Sequence, residues 1–428
     1  MLSEVKMSQE NRISNETHRW NFHLFGWEVA LHSAGVRMIG PMVLIPFLFY
    51  EVGIHASWLG LFPIARNMMS LTGPIGAAWG GGLEQKKRYC IRWGIVHSLP
   101  FVLVPVGIIF FFERPSVLLC ILVLAWILAH LGQGLFESVK QTVMVNSIQE
   151  AWWGRMMGYR QVMTAVVGIA ASGLLWLLNK HVAPPTSYVY LSWAGVFLMA
   201  VSLIIFSQIR EVPAEKKHVR PRKSWRTSWG MVGHLWSRER PVRWLVYGRW
   251  ARCTGMFINT YVTVVFMERC GLTSSDMWLP VLLITIAEIL SFALASWFVD
   301  RIGAKTAMVL SGFLMAANAI LIMVSPSIWG FVLLFPFLTL AQGLMRSGWP
   351  TLVMKMAPVE ERADYHAAVN LSVLPGMYLA FASGIVLVRY TGFDVIFYVT
   401  LIGSLLGSLC FYIGLPNTRT LTVEDGLK

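Results

Sequence analysis

Nine charged side chains stand out inside stretches that are mostly Leu, Ile, Val and Phe, away from the charged ends. The basic ones are Arg37, Arg66, Lys140, Arg249, Arg252 and Arg346; the acidic ones are Glu28, Glu137 and Glu288. His32 and His130 accompany them and titrate near neutral pH. A charge in an apolar run is costly unless it is paired or used. Guanidinium groups bind both oxygens of a carboxylate or phosphate at once, so Arg37 and Arg252 are candidates for holding an anion, with Arg249 beside them. The alternative is that each Arg pairs with an internal Glu or with backbone carbonyls. Proton coupling needs a buried acid whose affinity for a proton rises near neutrality. Glu28 and Glu288 are the candidate acids, with His32 and His130 as alternatives. Glu28 and His32 are four residues apart and share a helix face, whereas Arg37 is nine residues from Glu28 and lies on the opposite one.

One stretch carries four polar groups in step. His130, Gln133, Glu137 and Lys140 fall at i, i+3, i+7 and i+10, which places them on one face of an apolar helix. Leu-Gly-Gln-Gly-Leu at 131–135 returns as Leu-Ala-Gln-Gly-Leu at 340–344. Gln133 and Gln342 therefore read as shared architecture and, with Arg37, Arg249, Arg252 and Trp349, as candidates for binding the substrate. His130 against Thr339 and Glu137 against Arg346 read as differences where coupling and gating would lie. Trp349 continues the Gln342–Arg346 face and could stack on a substrate, though most of the aromatic residues should face lipid or mark interfaces.

These residues need long apolar helices to position them. The chain has 428 residues, 56% hydrophobic and 13% charged, with a net charge of +13. Soluble domains carry about 25% charged residues, so this composition predicts a membrane protein. A bilayer span needs about 20 apolar residues. The pattern predicts twelve, at 22–50, 56–79, 90–112, 116–142, 157–179, 187–209, 244–267, 276–299, 304–325, 328–354, 366–388 and 392–414. That gives a tail at 1–21, a six-helix bundle at 22–209, a basic link at 210–243, a second bundle at 244–414 and a tail at 415–428. The link alone holds ten Lys and Arg, against four (Arg114, Lys180, Arg269 and Arg389) in all the outer loops. The positive-inside rule then puts both termini in the cytoplasm of a cell-membrane protein and accounts for the basic excess without nucleic acid. In the link, Trp225, Trp229, Val232 and Trp236 recur at helical spacing, as in an amphipathic helix on the inner leaflet or aromatic anchors on a linker.

The halves repeat elsewhere too. Arg37-x-x-Gly40 corresponds to Arg252-x-x-Gly255, and the loops after spans 2 and 8 read Gly80 to Glu84 and Asp300-Arg301-Ile302-Gly303-Ala304-Lys305. Over its whole length the chain resembles the major facilitator superfamily. Asp300, Arg301, Gly303 and Lys305, with Ser296 in a leading Gly position, match that family's loop signature; the first-half copy keeps Gly80 and Glu84. His130-x-x-Gln133-Gly134 stands where the family has Arg-x-x-Gln-Gly. The antiporter motif of the family's drug exporters is absent from 157–179. The resemblance implies an all-α integral membrane fold of twelve helices in two pseudo-symmetric bundles. It also implies a cavity lined by spans 1, 4, 7 and 10, and alternating access. Glu84, Asp300, Arg301, Gly303 and Lys305 would then act as a cytoplasmic latch, and Glu137 and Arg346 would approach each other when the inner side closes.

No nucleophile elbow, phosphate-binding Gly loop or metal-ligand spacing appears, and Cys90, Cys120, Cys253, Cys270 and Cys410 are scattered. The expectation is a secondary transporter of a small organic solute, an anion on the guanidinium reading and with proton coupling on the buried-acid reading, that is not an enzyme. It needs no cofactor or metal, has a small-molecule substrate and the lipid bilayer as partners, and acts as a monomer. An exporter of amphiphilic drugs and a non-transporting receptor or scaffold of the same fold are the alternatives.

Overall fold

The computed structural model describes residues 15–80, 83, 85–148, 152–211, 225–273, 276, 278–325, 327–357 and 362–416. The described residues are helical almost throughout, as a lipid environment requires: a backbone with no water to bond must satisfy its own N–H and C=O groups. Ten helical runs are long and apolar enough to cross a membrane. Two more, where spans 2 and 7 were expected, are interrupted: α3 (Leu61–Asn67) from α4 (Met69–Gly80), and α11 (Arg240–Cys253) from α12 (Met256–Cys270). Together they make the twelve.

The chain forms two compact units, Met1–Gly40 with Ala65–Trp225, and Pro41–Ile64 with Arg226–Lys428. In the first, α1 (Asn15–Ile39) packs on α8 (Trp153–His181) and α9 (Thr186–Ser207). There α7 (Pro115–Ser147) packs on α4 and α5 (Lys86–Ser98). In the second, α11 packs on α17 (Phe393–Gly414), and α15 (Ile328–Met356) packs on α13 (Trp278–Ile302) and α14 (Ala304–Val324). Phe110, Phe197, Leu333 and Leu379 point outward, as side chains facing lipid should.

The internal repeat is visible at backbone level. A Cβ on Gly35 would come within 2.6 Å of the Gly195 carbonyl oxygen, and one on Gly195 within 2.9 Å of that of Gly35. In the second unit Gly248 and Gly407 make the same crossing, at 3.1 and 2.7 Å. Only glycine lets these helices approach so closely. The Arg-x-x-Gly motifs also have a common structural meaning. Each marks a break in its helix, where the Gly40 N–H donates to the Arg37 carbonyl at 3.2 Å and the Gly255 N–H to the Arg252 carbonyl at 3.0 Å.

The segment Pro41–Ile64 clusters with the second unit. It holds α2 (Pro41–Pro46), a π-helical turn at Phe47–Glu51, a 3-10 turn at Ala56–Gly60 and the start of α3. The Tyr50 hydroxyl donates to the Val264 carbonyl at 3.5 Å. A Cβ on Gly60 would meet Ile385 at 2.7 Å and the Tyr261 hydroxyl at 2.8 Å.

Candidate functional site

Within the first unit the polar groups converge on one ion pair. Lys140 Nζ of α7 donates to Glu28 Oε1 of α1 at 2.7 Å, and both residues are buried. The ammonium also lies 5.9 Å from the ring centres of Phe136 and of Phe206. A pair this deep survives because each charge would be far costlier alone. Glu28 Oε2 has no hydrogen-bond partner among the described residues.

His32, one turn beyond Glu28, faces His97 of α5 with ring centres 5.3 Å apart, and His97 faces His130 at 6.3 Å. His97 Nδ1 lies 2.7 Å from the Ala129 carbonyl oxygen and His130 Nδ1 lies 2.8 Å from that of Trp126. A carbonyl can only accept, so in both rings Nδ1 carries the proton and Nε2 the lone pair. His97 Nε2 is buried and unpartnered among the described residues. Trp126 stacks on the His130 ring at 4.7 Å.

The polar stripe of α7 divides. His130 and Lys140 turn inward, while Gln133 and Glu137 are half-buried and the Glu137 carboxylate accepts from Gln141 Nε2 at 3.0 Å. Arg37 is half-buried at the end of α1. His97 is the residue the sequence reading missed: a lone histidine in an apolar run has no local partner to mark it.

In the second unit Arg249 and Arg252 sit one turn apart on α11. The Arg249 guanidinium lies 5.3 Å from the Trp349 ring centre. Trp349 Nε1 donates to Asn370 Oδ1 at 3.0 Å, and Asn370 Nδ2 lies 3.1 Å from His366 Nδ1. Gln342 Nε2 donates to Asn259 Oδ1 at 2.7 Å. Arg252 is spent on helix packing rather than turned to this cluster. Its Nη atoms donate to the Ser311 hydroxyl at 2.9 Å and the Met308 carbonyl at 3.3 Å, and it crosses α17 at Gly407. Its Nε has no partner, and neither Arg249 nor Arg252 bonds a carboxylate among the described residues. Arg346 is exposed, 5.2 Å from the Phe292 ring centre, and Glu288 is half-buried on α13.

At the candidate latch, Gly303 takes φ +84°, a left-handed value that suits glycine, between α13 and α14. Lys305 Nζ donates to the Leu415 carbonyl at the end of α17, and Arg301 lies 5.5 Å from the Trp297 ring centre. Lys87 makes the matching bond in the first unit, from Nζ to the Ile209 carbonyl at 2.9 Å. Glu84 and the Asp300 and Ser296 side chains fall outside the described residues, as do those of Trp225 and Trp229 in the link. Sequence reading also missed Glu211, whose two carboxylate oxygens accept the Lys86 and Lys87 backbone N–H groups at 2.8 and 3.0 Å and so cap α5.

The family model described as Major Facilitator Superfamily matches residues 29–373 and 277–426. No curated relative matches the sequence. Among solved structures, a mutant of the nucleoside transporter NupG aligns with a TM-score of 0.71 at 13% identity, covering 92% of this chain and 100% of that one. A D-xylose–proton symporter aligns at 0.62 with 15% identity, covering 94% and 97%. A bacterial homologue of the iron transporter ferroportin, outward-facing, aligns at 0.61 with 14% identity, covering 91% and 98%.

Proposed function

The chain belongs to the major facilitator superfamily and is a multi-pass membrane transporter rather than an enzyme, and on that premise we propose that it is a secondary transporter of a small organic anion, coupled to protons. It works by alternating access in the cell membrane, with both termini in the cytoplasm. The carrying observation is the pair of guanidinium groups on α11, Arg249 and Arg252, for which no described carboxylate supplies the counter-charge. An unneutralised guanidinium inside a membrane favours an anion that can dock on it. Arg252 supplies the fixed part of that field from within the helix packing. Arg249 supplies the exchangeable part, because its partner is an aromatic face that a carboxylate or phosphate can outbid. Trp349, Asn370 and His366 supply stacking and neutral hydrogen bonds beside it, and Gln342 with Asn259 adds a further neutral pair in the same unit.

The structural neighbours are named for a nucleoside, a sugar with a proton, and iron. One fold thus serves very different solutes, so substrate class has to be argued from the site. The test is uptake into proteoliposomes under an imposed pH gradient, comparing small carboxylates and organic phosphates with neutral sugars and nucleosides. An anion should accumulate, and Arg249→Ala should cut its uptake at least about tenfold, the usual cost of losing a charge-assisted bond. Accumulation of a neutral solute that is indifferent to Arg249→Ala would sink the reading.

A further inference from the structure

The first unit holds more titratable groups than an ion pair needs. Glu28 Oε2 and His97 Nε2 are both buried and both without a partner among the described residues. His32 lies between them, four residues from Glu28 on α1 and 5.3 Å from the His97 ring centre. His130 continues the row at 6.3 Å. Buried polar atoms are nearly always satisfied, so two orphans in one cluster call for an occupant. Both are bare lone pairs, and the smallest ligand that answers two bare lone pairs is a proton.

We propose that Glu28, His32, His97 and His130 form one buried proton-binding site beside Lys140, with Glu28 Oε2 and His97 Nε2 as the landing atoms. It rests on the proton-coupled reading above and names the place where the proton binds. The proton arrives from water, adds to a lone pair of one landing atom, and leaves from the same cluster. His97 cannot pass it through the ring, because its Nδ1–H is held by the Ala129 carbonyl; it takes and returns the proton at Nε2. A proton on Glu28 removes the negative charge that holds Lys140. The ammonium then keeps only the faces of Phe136 and Phe206. Loading therefore unlocks α1 from α7, which is the coupling a transporter needs. From Lys140 to His130 is ten residues of one helix, about 15 Å, or half of a hydrocarbon core.

Other charges face the cluster from every side. Lys140 and Glu137 of α7 act on His97, Lys140 on His32, and Arg66 of α3 on His130, with Cys90 of α5 near Lys140. None of these occupies either landing atom. The cluster is thus one coupled site whose proton belongs to the group rather than to a single residue.

The test is proton counting on the purified protein in detergent, titrated between pH 8 and pH 5 with an indicator dye. The chains compared are the wild type, His97→Asn, Glu28→Gln and the double variant. Asn keeps a donor for the Ala129 carbonyl but cannot be protonated, so a purely structural His97 predicts no change in the count. The shared site predicts that each single variant binds fewer protons than wild type, by up to about one because the remaining landing atom can still take part of the load, and that the double loses about one, not two. An unchanged count in His97→Asn, or a loss of two in the double, overturns the proposal. If His97→Asn does not accumulate, His97→Gln, which also lacks a titrating nitrogen, replaces it. Counting needs neither substrate nor gradient. A negative result therefore removes the proton site and leaves anion transport standing, whereas absence of flux in liposomes does the reverse.

Discussion

Glu28 and Lys140 each depend on the other to remain charged where they are. Replacing one leaves a buried ion without a counter-charge, which costs about 3–5 kcal/mol, while removing both is often close to neutral. Lys140→Met should therefore lower the melting temperature of the purified protein well below that of the Glu28→Gln/Lys140→Met double variant. Equal melting of the two would mean that the pair contributes nothing. At this scale the sequence announced the candidates and hid the contacts. Glu28, His32, His130 and Lys140 are conspicuous because ionisable groups in apolar runs are rare. The bond joining Glu28 to Lys140 spans 112 positions, and no local spacing encodes it. His97 was invisible for the same reason: what gives it meaning is two rings on other helices. Arg252 was conspicuous as a buried base, but its contacts with Ser311 and Gly407 lie on other helices and no local spacing announces them.

In each unit, taken by itself, a helix end is tied by the same device. Lys87 donates to the carbonyl of Ile209, and Lys305 to that of Leu415, each closing the free end of the last helix of its bundle. An ammonium at a helix C-terminus satisfies orphan carbonyls and complements the dipole there. Glu211 does the opposite job at the start of α5, accepting two backbone N–H groups. Glu211→Ala should cost about 1–2 kcal/mol, the usual range for a lost cap, read as a fall in melting temperature with anion uptake retained. The spacing from Asp300 to Lys305 marked a tight turn between two helices, which Gly303 makes. The partner of Lys305, a backbone carbonyl, was not legible, because carbonyls leave no mark on composition. The glycine crossings were half legible: the Gln-Gly echo pointed to repeated architecture, while Gly35 with Gly195 and Gly248 with Gly407 carry no shared motif. Gly248→Leu should push α11 off α17 and sharply reduce the yield of folded protein; normal yield and melting would contradict that crossing.

Across the whole molecule, apolar run length and charge bias carried most of the information. Ten runs are long and apolar enough to cross, one of them with a break at Gly40, and the other two are divided at Met68 and at Thr254–Gly255, breaks that hydropathy averages over. The basic link predicts sidedness directly. Trypsin should cut within 210–243 in inside-out vesicles and leave it intact in right-side-out ones; the reverse pattern would invert the topology.

The strap at Pro41–Ile64 bears on how this protein can be taken apart. The obvious place to divide the chain is the polar link, yet that cut would leave the strap on the wrong fragment. A C-terminal fragment made alone would present Tyr261, Val264 and Ile385 with nothing to cover them, and should aggregate or be degraded. Supplying residues 1–224 in the same cell should rescue it, because that fragment brings the missing strap. A version of the N-terminal fragment in which Phe47, Leu48 and Leu59, all buried, are replaced by Ser should fail to rescue, measured as the amount of C-terminal fragment recovered in membranes. The halves look like duplicates in sequence, but a stretch that precedes the link packs with the residues that follow it.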